Sequence, residues 1–130
     1  RLIILNWVSF TLLSGLFFLH PLQIAMENKK IMLIEDDLDT QFLFTECLRA
    51  ENYEVVPMDH GKKALEYLKI NGVPDLILMD LNTPFLTPEE FVKHMRKLPR
   101  GEEAQLIIVS GKSDIDEYAK RLNATDYIKK

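Results

Sequence analysis

Three times the sequence sets a short, wholly apolar run directly before polar groups. Ile31–Ile34 precedes Glu35, Asp36 and Asp37, Leu76–Met79 precedes Asp80, and Leu106–Val109 precedes Ser110. Four apolar residues in a row, without alternation, mark a strand buried on both faces. Tyr53–Met58 supplies a further strand, and Tyr127–Ile128 begins a fifth. Amphipathic stretches separate these runs. Asp39 is placed to cap a helix over about residues 40–51 with Phe42, Leu43, Cys47 and Leu48 inward, and Asn52 suits its left-handed end. His60–Asn71 is a second helix with Ala64, Leu65 and Leu68 inward, before Gly72 and Pro74 break the chain. Thr87 caps a third, with Pro88 at its first position and Glu89 and Glu90 in its first turn. A polar helix follows over about 114–122. Strands alternating with helices imply parallel pairing and right-handed crossovers. The expected fold is therefore α/β, an open, doubly wound, five-stranded parallel sheet of the flavodoxin-like kind, with its site at the carboxyl ends of the strands.

The chain has 130 residues, enough for one core and too few for two. Its formal net charge is −4 and it has no dense basic tract, so this segment is not expected to bind nucleic acid directly. Cys47 is the single cysteine and fits a buried thiol in a reducing compartment. From Leu2 to Met26 there is no Asp, Glu, Lys or Arg. Residues 1–25 thus form an apolar segment distinct from a domain over 26–130. Three readings of it stay open: a bilayer span, the apolar part of a signal peptide, or sequence upstream of a start at Met26. Lys29 and Lys30 follow, on the side that the positive-inside tendency assigns to the cytoplasm. Membrane contact, if any, runs through 1–25.

The strand ends bring Glu35, Asp36, Asp80, Asn82, Ser110, Gly111, Lys129 and Lys130 toward one edge of the sheet. Carboxylates crowded at Glu35, Asp36 and Asp80 cannot all ionise cheaply unless a cation joins them. Oxygen ligands with few carboxylates suit Mg²⁺. A carboxylate can also attack a phosphoryl group to give an acyl phosphate. A metal, a lysine amine and a small hydroxyl together can neutralise the transferring group.

The segments IMLIEDD, LILMDLNTP, LIIVSG and ATDYIKK resemble, in order and spacing, the signature segments of response-regulator receiver domains of two-component signalling, the chemotaxis-regulator kind included. The resemblance covers residues 29–130. It implies that Asp80 is the phosphoacceptor, that Asp36 and Asp80 are direct Mg²⁺ ligands, and that Glu35 acts on the metal through water. It also implies that the Asn82 backbone carbonyl is a metal ligand, Ser110 the switch hydroxyl, Tyr127 the switch aromatic and Lys130 the active-site lysine. The partners implied are a histidine kinase or histidine phosphotransfer protein and an unidentified downstream effector, in the cytoplasm. Such a domain is not an enzyme acting on a separate substrate; it catalyses its own phosphorylation and dephosphorylation.

Departures from the pattern are specific. Thr87-Pro88 stands where the family has Asp-Gly, which alters the next helix start. Lys129 stands where an apolar residue is usual, so Lys129 competes with Lys130 for the lysine role, and spacing from Tyr127 favours Lys130. The proline that usually follows and the fifth helix do not appear. Two other functions compete. A dehalogenase-type aspartyl-phosphate phosphatase wants a carboxylate two residues after the nucleophile, where Asn82 stands. A degenerate receiver serving only for docking would not need Glu35, Asp36, Asp80, Ser110 and Lys130 together. Taken singly, Asp37 fits a helix cap, and His20, His60 and His94 lack ligand-like spacing.

Overall fold

The structure, a computed structural model, describes residues 29–130. The apolar segment 1–25 lies outside the described residues. The elements follow in order as β1 (Lys30–Ile34), α1 (Leu38–Ala50), β2 (Glu54–Met58), α2 (Gly61–Asn71), β3 (Leu76–Asp80), α3 (Pro88–Arg96), β4 (Gln105–Ser110), α4 (Ile115–Arg121) and β5 (Asp126–Lys129). All strands are parallel, in the order β2-β1-β3-β4-β5.

That order follows from the burial each sequence can sustain. The unbroken apolar runs of β1, β3 and β4 occupy the centre, where both faces are covered. The mixed sequences EVVPM and DYIK take the two edges. Pro57 in β2 has no N–H to donate, which an edge strand tolerates. On one face Met32, Ile34, Ile77, Met79, Leu106 and Ile108 pack against α2, α3 and α4. On the other, Ile31, Leu33, Leu76, Leu78, Ile107 and Val109 form a second cluster with Phe44 and Leu48 of α1.

The helix starts hold one correction. Asp37, not Asp39, caps α1: its side chain accepts from the Thr40 N–H at 2.8 Å and from the Thr40 hydroxyl at 2.5 Å. The inward face of α1 also differs from expectation. Phe42 is 68% exposed and Leu43 55%, while Phe44, Thr45, Cys47 and Leu48 are buried. Apolar residues at 38, 42, 43, 44, 47 and 48 run most of the way round this helix, so its periodicity selects no face. Contact with β1 and β2 selects it instead. Cys47 is buried as expected, and burial pushes its thiol pKa up.

Elsewhere the local chemistry matches. Asn52 ends the turn after α1 with φ 68°, and Gly72 follows α2 with φ 87°. Thr87 and Glu90 form a reciprocal capping box at α3, with Pro88 in its first turn. After α3, Arg96 ties the return to β4 by donating to the carbonyls of Gly101 and Ala104, each at 2.7 Å. A Cβ at Gly101 would collide with the Met95 carbonyl, so only glycine fits there.

Candidate functional site

The site is built from the backbone outward. Beyond β1, the Glu35 N–H donates to the Met58 carbonyl at 2.9 Å, continuing the ladder to β2. On the other side of the same residue, the Gln41 side-chain amide donates to the Glu35 carbonyl at 2.9 Å. The peptide is thereby pinned, and the carboxylate is fixed with it. Glu35 Oε1 accepts from the Asp37 N–H at 3.1 Å, and Oε2 accepts from Lys130 Nζ at 3.0 Å. Asp36, between two anchored neighbours, is exposed.

Asp80 closes β3 and is 5% exposed. Its Oδ1 accepts from the Asn82 N–H at 2.8 Å and its Oδ2 from Lys130 Nζ at 2.6 Å. One ammonium thus holds two buried carboxylates from different strands. Carboxylate oxygens of Glu35, Asp36 and Asp80 lie within 4.8 Å of one another.

The electrostatics separates the two buried acids. Burial raises the Glu35 pKa to about 7; the Lys130 ammonium pulls it down, and the neighbouring Asp80 pushes it back up. Burial also acts against the Asp80 charge, but Lys130 and the Asn82 N–H outweigh it and hold that carboxyl below its ordinary value. Lys130 loses hydration too, and the two carboxylates more than offset the loss, raising its pKa. The cluster therefore pairs an ionised Asp80 with a cationic Lys130, and Glu35 is the member that most readily holds a proton. An ionised carboxylate beside a fixed ammonium is a nucleophile for an electrophile that itself carries negative charge.

The remaining expected residues are placed as follows. Lys130, not Lys129, reaches the carboxylates, because Lys129 pairs with Ser110 in the β4–β5 ladder and is exposed. The Lys130 N–H donates to the Ser110 carbonyl at 2.9 Å, which extends that ladder by one residue and positions the amine. Ser110 is buried, and its Oγ accepts from the Lys112 N–H at 3.1 Å. Tyr127 lies opposite Ile108, two residues before Ser110, and is exposed on the α2–α4 face of the sheet. Asn82 contacts Asp80 through its N–H.

Several features at this edge lay beyond sequence reasoning. Gln41 is one; a polar residue in the first turn of α1 gives no hint that it reaches back to Glu35. Phe85 is another. It adopts φ 72°, a left-handed conformation costly for a large side chain, and is 76% exposed. Its ring meets His60 edge-on at 4.7 Å. His60 in turn caps α2, with Nδ1 accepting from the Lys63 N–H at 3.2 Å. An open cleft lined by Asp36, Asn82, Thr83, Phe85 and Leu86 adjoins the carboxylates.

The profile of the response regulator receiver domain matches residues 31–130. Sporulation initiation phosphotransferase F of Bacillus subtilis is 26% identical over 105 residues, which is 81% of this chain and 84% of that protein. The cell cycle transcriptional regulator CtrA of Caulobacter vibrioides is 32% identical over 103 residues, 78% of this chain but 43% of that one. Among solved structures, the receiver domain of a sensor histidine kinase from Pseudomonas aeruginosa PAO1 superposes with a TM-score of 0.71 at 24% identity. The match covers 79% of this chain and 85% of that domain, which holds a magnesium ion in its active-site cleft.

Proposed function

The chain belongs to the response-regulator receiver domains of two-component signalling, and from this we propose that Asp80 accepts a phosphoryl group from a phosphohistidine on a histidine kinase or histidine phosphotransfer protein. The observation that supports this most is Lys130, whose single amine bridges the two buried carboxylates of β1 and β3. In the transfer an Asp80 carboxylate oxygen attacks phosphorus, the P–N bond to the donor imidazole breaks, and the electron pair leaves with the imidazole nitrogen. An acyl phosphate on Asp80 results. Lys130 balances charge on the entering group, and the Asn82 N–H holds the Asp80 carboxylate in register for attack. Water later cleaves the acyl phosphate within the same site. The domain acts on itself and turns over no separate substrate.

The carboxylates fit a hard divalent cation. Three of them converge with oxygen donors only, and Asp36 leaves the cluster open to solvent for water ligands. Asp36 and Asp80 would hold Mg²⁺ directly, the Asn82 carbonyl would add a further oxygen, and Glu35 would act through water. Bound there, Mg²⁺ supplies positive charge beside the phosphoryl oxygens.

Ser110 is the hydroxyl suited to sense the phosphoryl group, since it ends β4 beside Asp80 and its Oγ engages a loop N–H. Tyr127 then reports the change at the exposed edge, where an effector reads it. None of the described helices is long and apolar enough to cross a membrane. We assign the domain to the cytoplasm because that is the expected compartment of the histidine kinase or phosphotransfer protein that would supply its phosphoryl group.

Incubation with acetyl phosphate and Mg²⁺ should add one phosphoryl group to the chain, read by intact mass. Asp80→Asn should abolish the addition, because an amide is not a nucleophile here. Equal labelling of the variant would sink the assignment.

A further inference from the structure

Asp36 is held differently from the two acids beside it. The carboxylates of Glu35 and Asp80 accept hydrogen bonds from Lys130 and from backbone N–H groups. Among the described residues the Asp36 carboxylate has no such partner, and it is exposed. One of its oxygens nevertheless lies within 4.8 Å of an oxygen of each of the other two. Its direction is therefore set by the backbone on either side. The Glu35 N–H is fixed on Met58 of β2, the Glu35 carbonyl on the Gln41 side chain, and the Asp37 N–H on Glu35 Oε1. The last two bonds hold the planar peptides before and after Asp36, and with them the two dihedrals from which its side chain departs.

We propose that Gln41 is a positioning residue for the cation site, and that its amide makes the site prefer a small octahedral ion to a larger one. The inference rests on the reading of Asp36 and Asp80 as direct Mg²⁺ ligands. The three bonds are not equivalent. The Asp37 N–H leans on a carboxylate of the site itself, so that bond is open to competition from whatever Glu35 next binds. The Met58 bond holds the peptide before Glu35, one step removed from Asp36. Of the three, only the Gln41 bond ties the Glu35–Asp36 peptide to a helix through a neutral donor that an arriving cation does not attract. Gln41 is itself secured, its N–H donating to the Asp37 carbonyl at 2.8 Å in the first turn of α1. Mg²⁺ demands near-octahedral ligands at about 2.0–2.1 Å, whereas Ca²⁺ accepts about six to eight oxygens at about 2.3–2.6 Å in looser geometry. A carboxylate held in one direction suits the first ion. One free to swing suits the second.

Calorimetric titration of the whole chain with Mg²⁺ and, separately, with Ca²⁺ tests this. Gln41→Met keeps the length and loses the donor. Mg²⁺ affinity should fall about tenfold or more, the usual cost of losing a group that orients a ligand. Ca²⁺ affinity should fall less than about threefold, so the ratio between the two narrows. Gln41→Arg restores a donor; its added charge weakens both divalent ions alike, so the ratio should return to within about twofold of the unaltered chain's. Gln41→Ala repeats the loss should the methionine variant not melt cooperatively. Asp37→Ala, which also loosens the start of α1, gives the purely structural comparison: a lower melting temperature with an unchanged ratio. A ratio unchanged in Gln41→Met and Gln41→Ala overturns the proposal. So does an equal fall in both affinities, or a ratio that Gln41→Arg leaves collapsed. If the unaltered chain binds neither ion, or Asp36→Ala leaves its Mg²⁺ affinity unchanged, the reading of Asp36 and Asp80 as metal ligands fails and takes the proposal with it.

Discussion

The two ends of the same sheet carry similar ion pairs and put them to different use. At the amino edge, Asp75 lies 4.0 Å from Lys29 and 3.8 Å from Arg100, and Lys30 lies 3.4 Å from Glu54. At the carboxyl edge, Lys130 lies 3.0 Å from Glu35 and 2.6 Å from Asp80. The residue types match, and the distances differ by about an ångström. Burial separates them. Every partner at the amino edge is well exposed, so water and salt screen the pairs and little free energy rides on them. Glu35 and Asp80 have lost nearly all their water, and only Lys130 and nearby N–H groups replace it. A charge held this way reacts to any newcomer that changes the local balance, whether a cation or a phosphoryl group.

Lys130→Met should break the contrast most severely. Loss of one fixed cation beside the nucleophile should slow labelling of Asp80 by about 10²-fold or more, measured with acetyl phosphate. It should also lower stability by about 1–3 kcal/mol in urea melts, below the full cost of splitting a buried pair because the ammonium is partly exposed. Asp36→Ala comes next. If Asp36 is a direct ligand, Mg²⁺ affinity should fall at least about tenfold, read by a metal titration. Asp37→Ala should leave that titration nearly unchanged while modestly lowering the melting temperature, because Asp37 caps α1 instead. Dominance of Asp37 in the titration would shift the register of the site by one residue.

The pH dependence sharpens the contrast further. Burial holds the Glu35 pKa at about 7, above its ordinary 4.5, so the folded chain keeps a proton that the unfolded chain sheds. Without metal, this group's contribution to stability is full below about pH 4.5 and is lost as pH rises through about 7. Asp80 runs the other way, its contribution present above its ordinary value and lost on acidification. Cation binding should expel the Glu35 proton, so apparent Mg²⁺ affinity should rise with pH up to about 7 and then level off. A flat profile between pH 5 and 7, by titration calorimetry, would contradict the Glu35 assignment. The smallest effect belongs to the amino edge: Arg100→Ala should cost under about 1 kcal/mol and leave phosphorylation intact.

What the sequence disclosed, and what it concealed, divides along similar lines. Strand ends are legible because an unbroken apolar run has to be central and its next residue has to emerge at the edge; Glu35, Asp80 and Ser110 follow from that alone. The Thr87 start of α3 is equally local, since cap, proline and acids are contiguous. Lys130 over Lys129 follows from strand alternation counted from Tyr127. The face of α1 is not local. Its apolar residues surround the helix, and the sheet beneath chooses among them. Asp37 and Asp39 are both able caps, and the choice falls to the peptide that Glu35 and Gln41 fix. Arg96, which closes the turn before β4 through backbone carbonyls, has no signature at all, because its acceptors carry no side-chain identity.

The bond between Lys130 and Glu35 spans 95 residues of sequence, and the one between Lys130 and Asp80 spans 50. Contacts of such range form late, after the loops between them have closed. Lys130 reaches its partners only when β5 has docked on β4, β4 on β3 and β3 on β1. A nascent or partly refolded chain therefore carries Glu35 and Asp80 without the amine that joins them. Competence to be phosphorylated should appear on refolding in step with the last strand to dock, making acyl-phosphate formation a chemical clock for completion of the sheet.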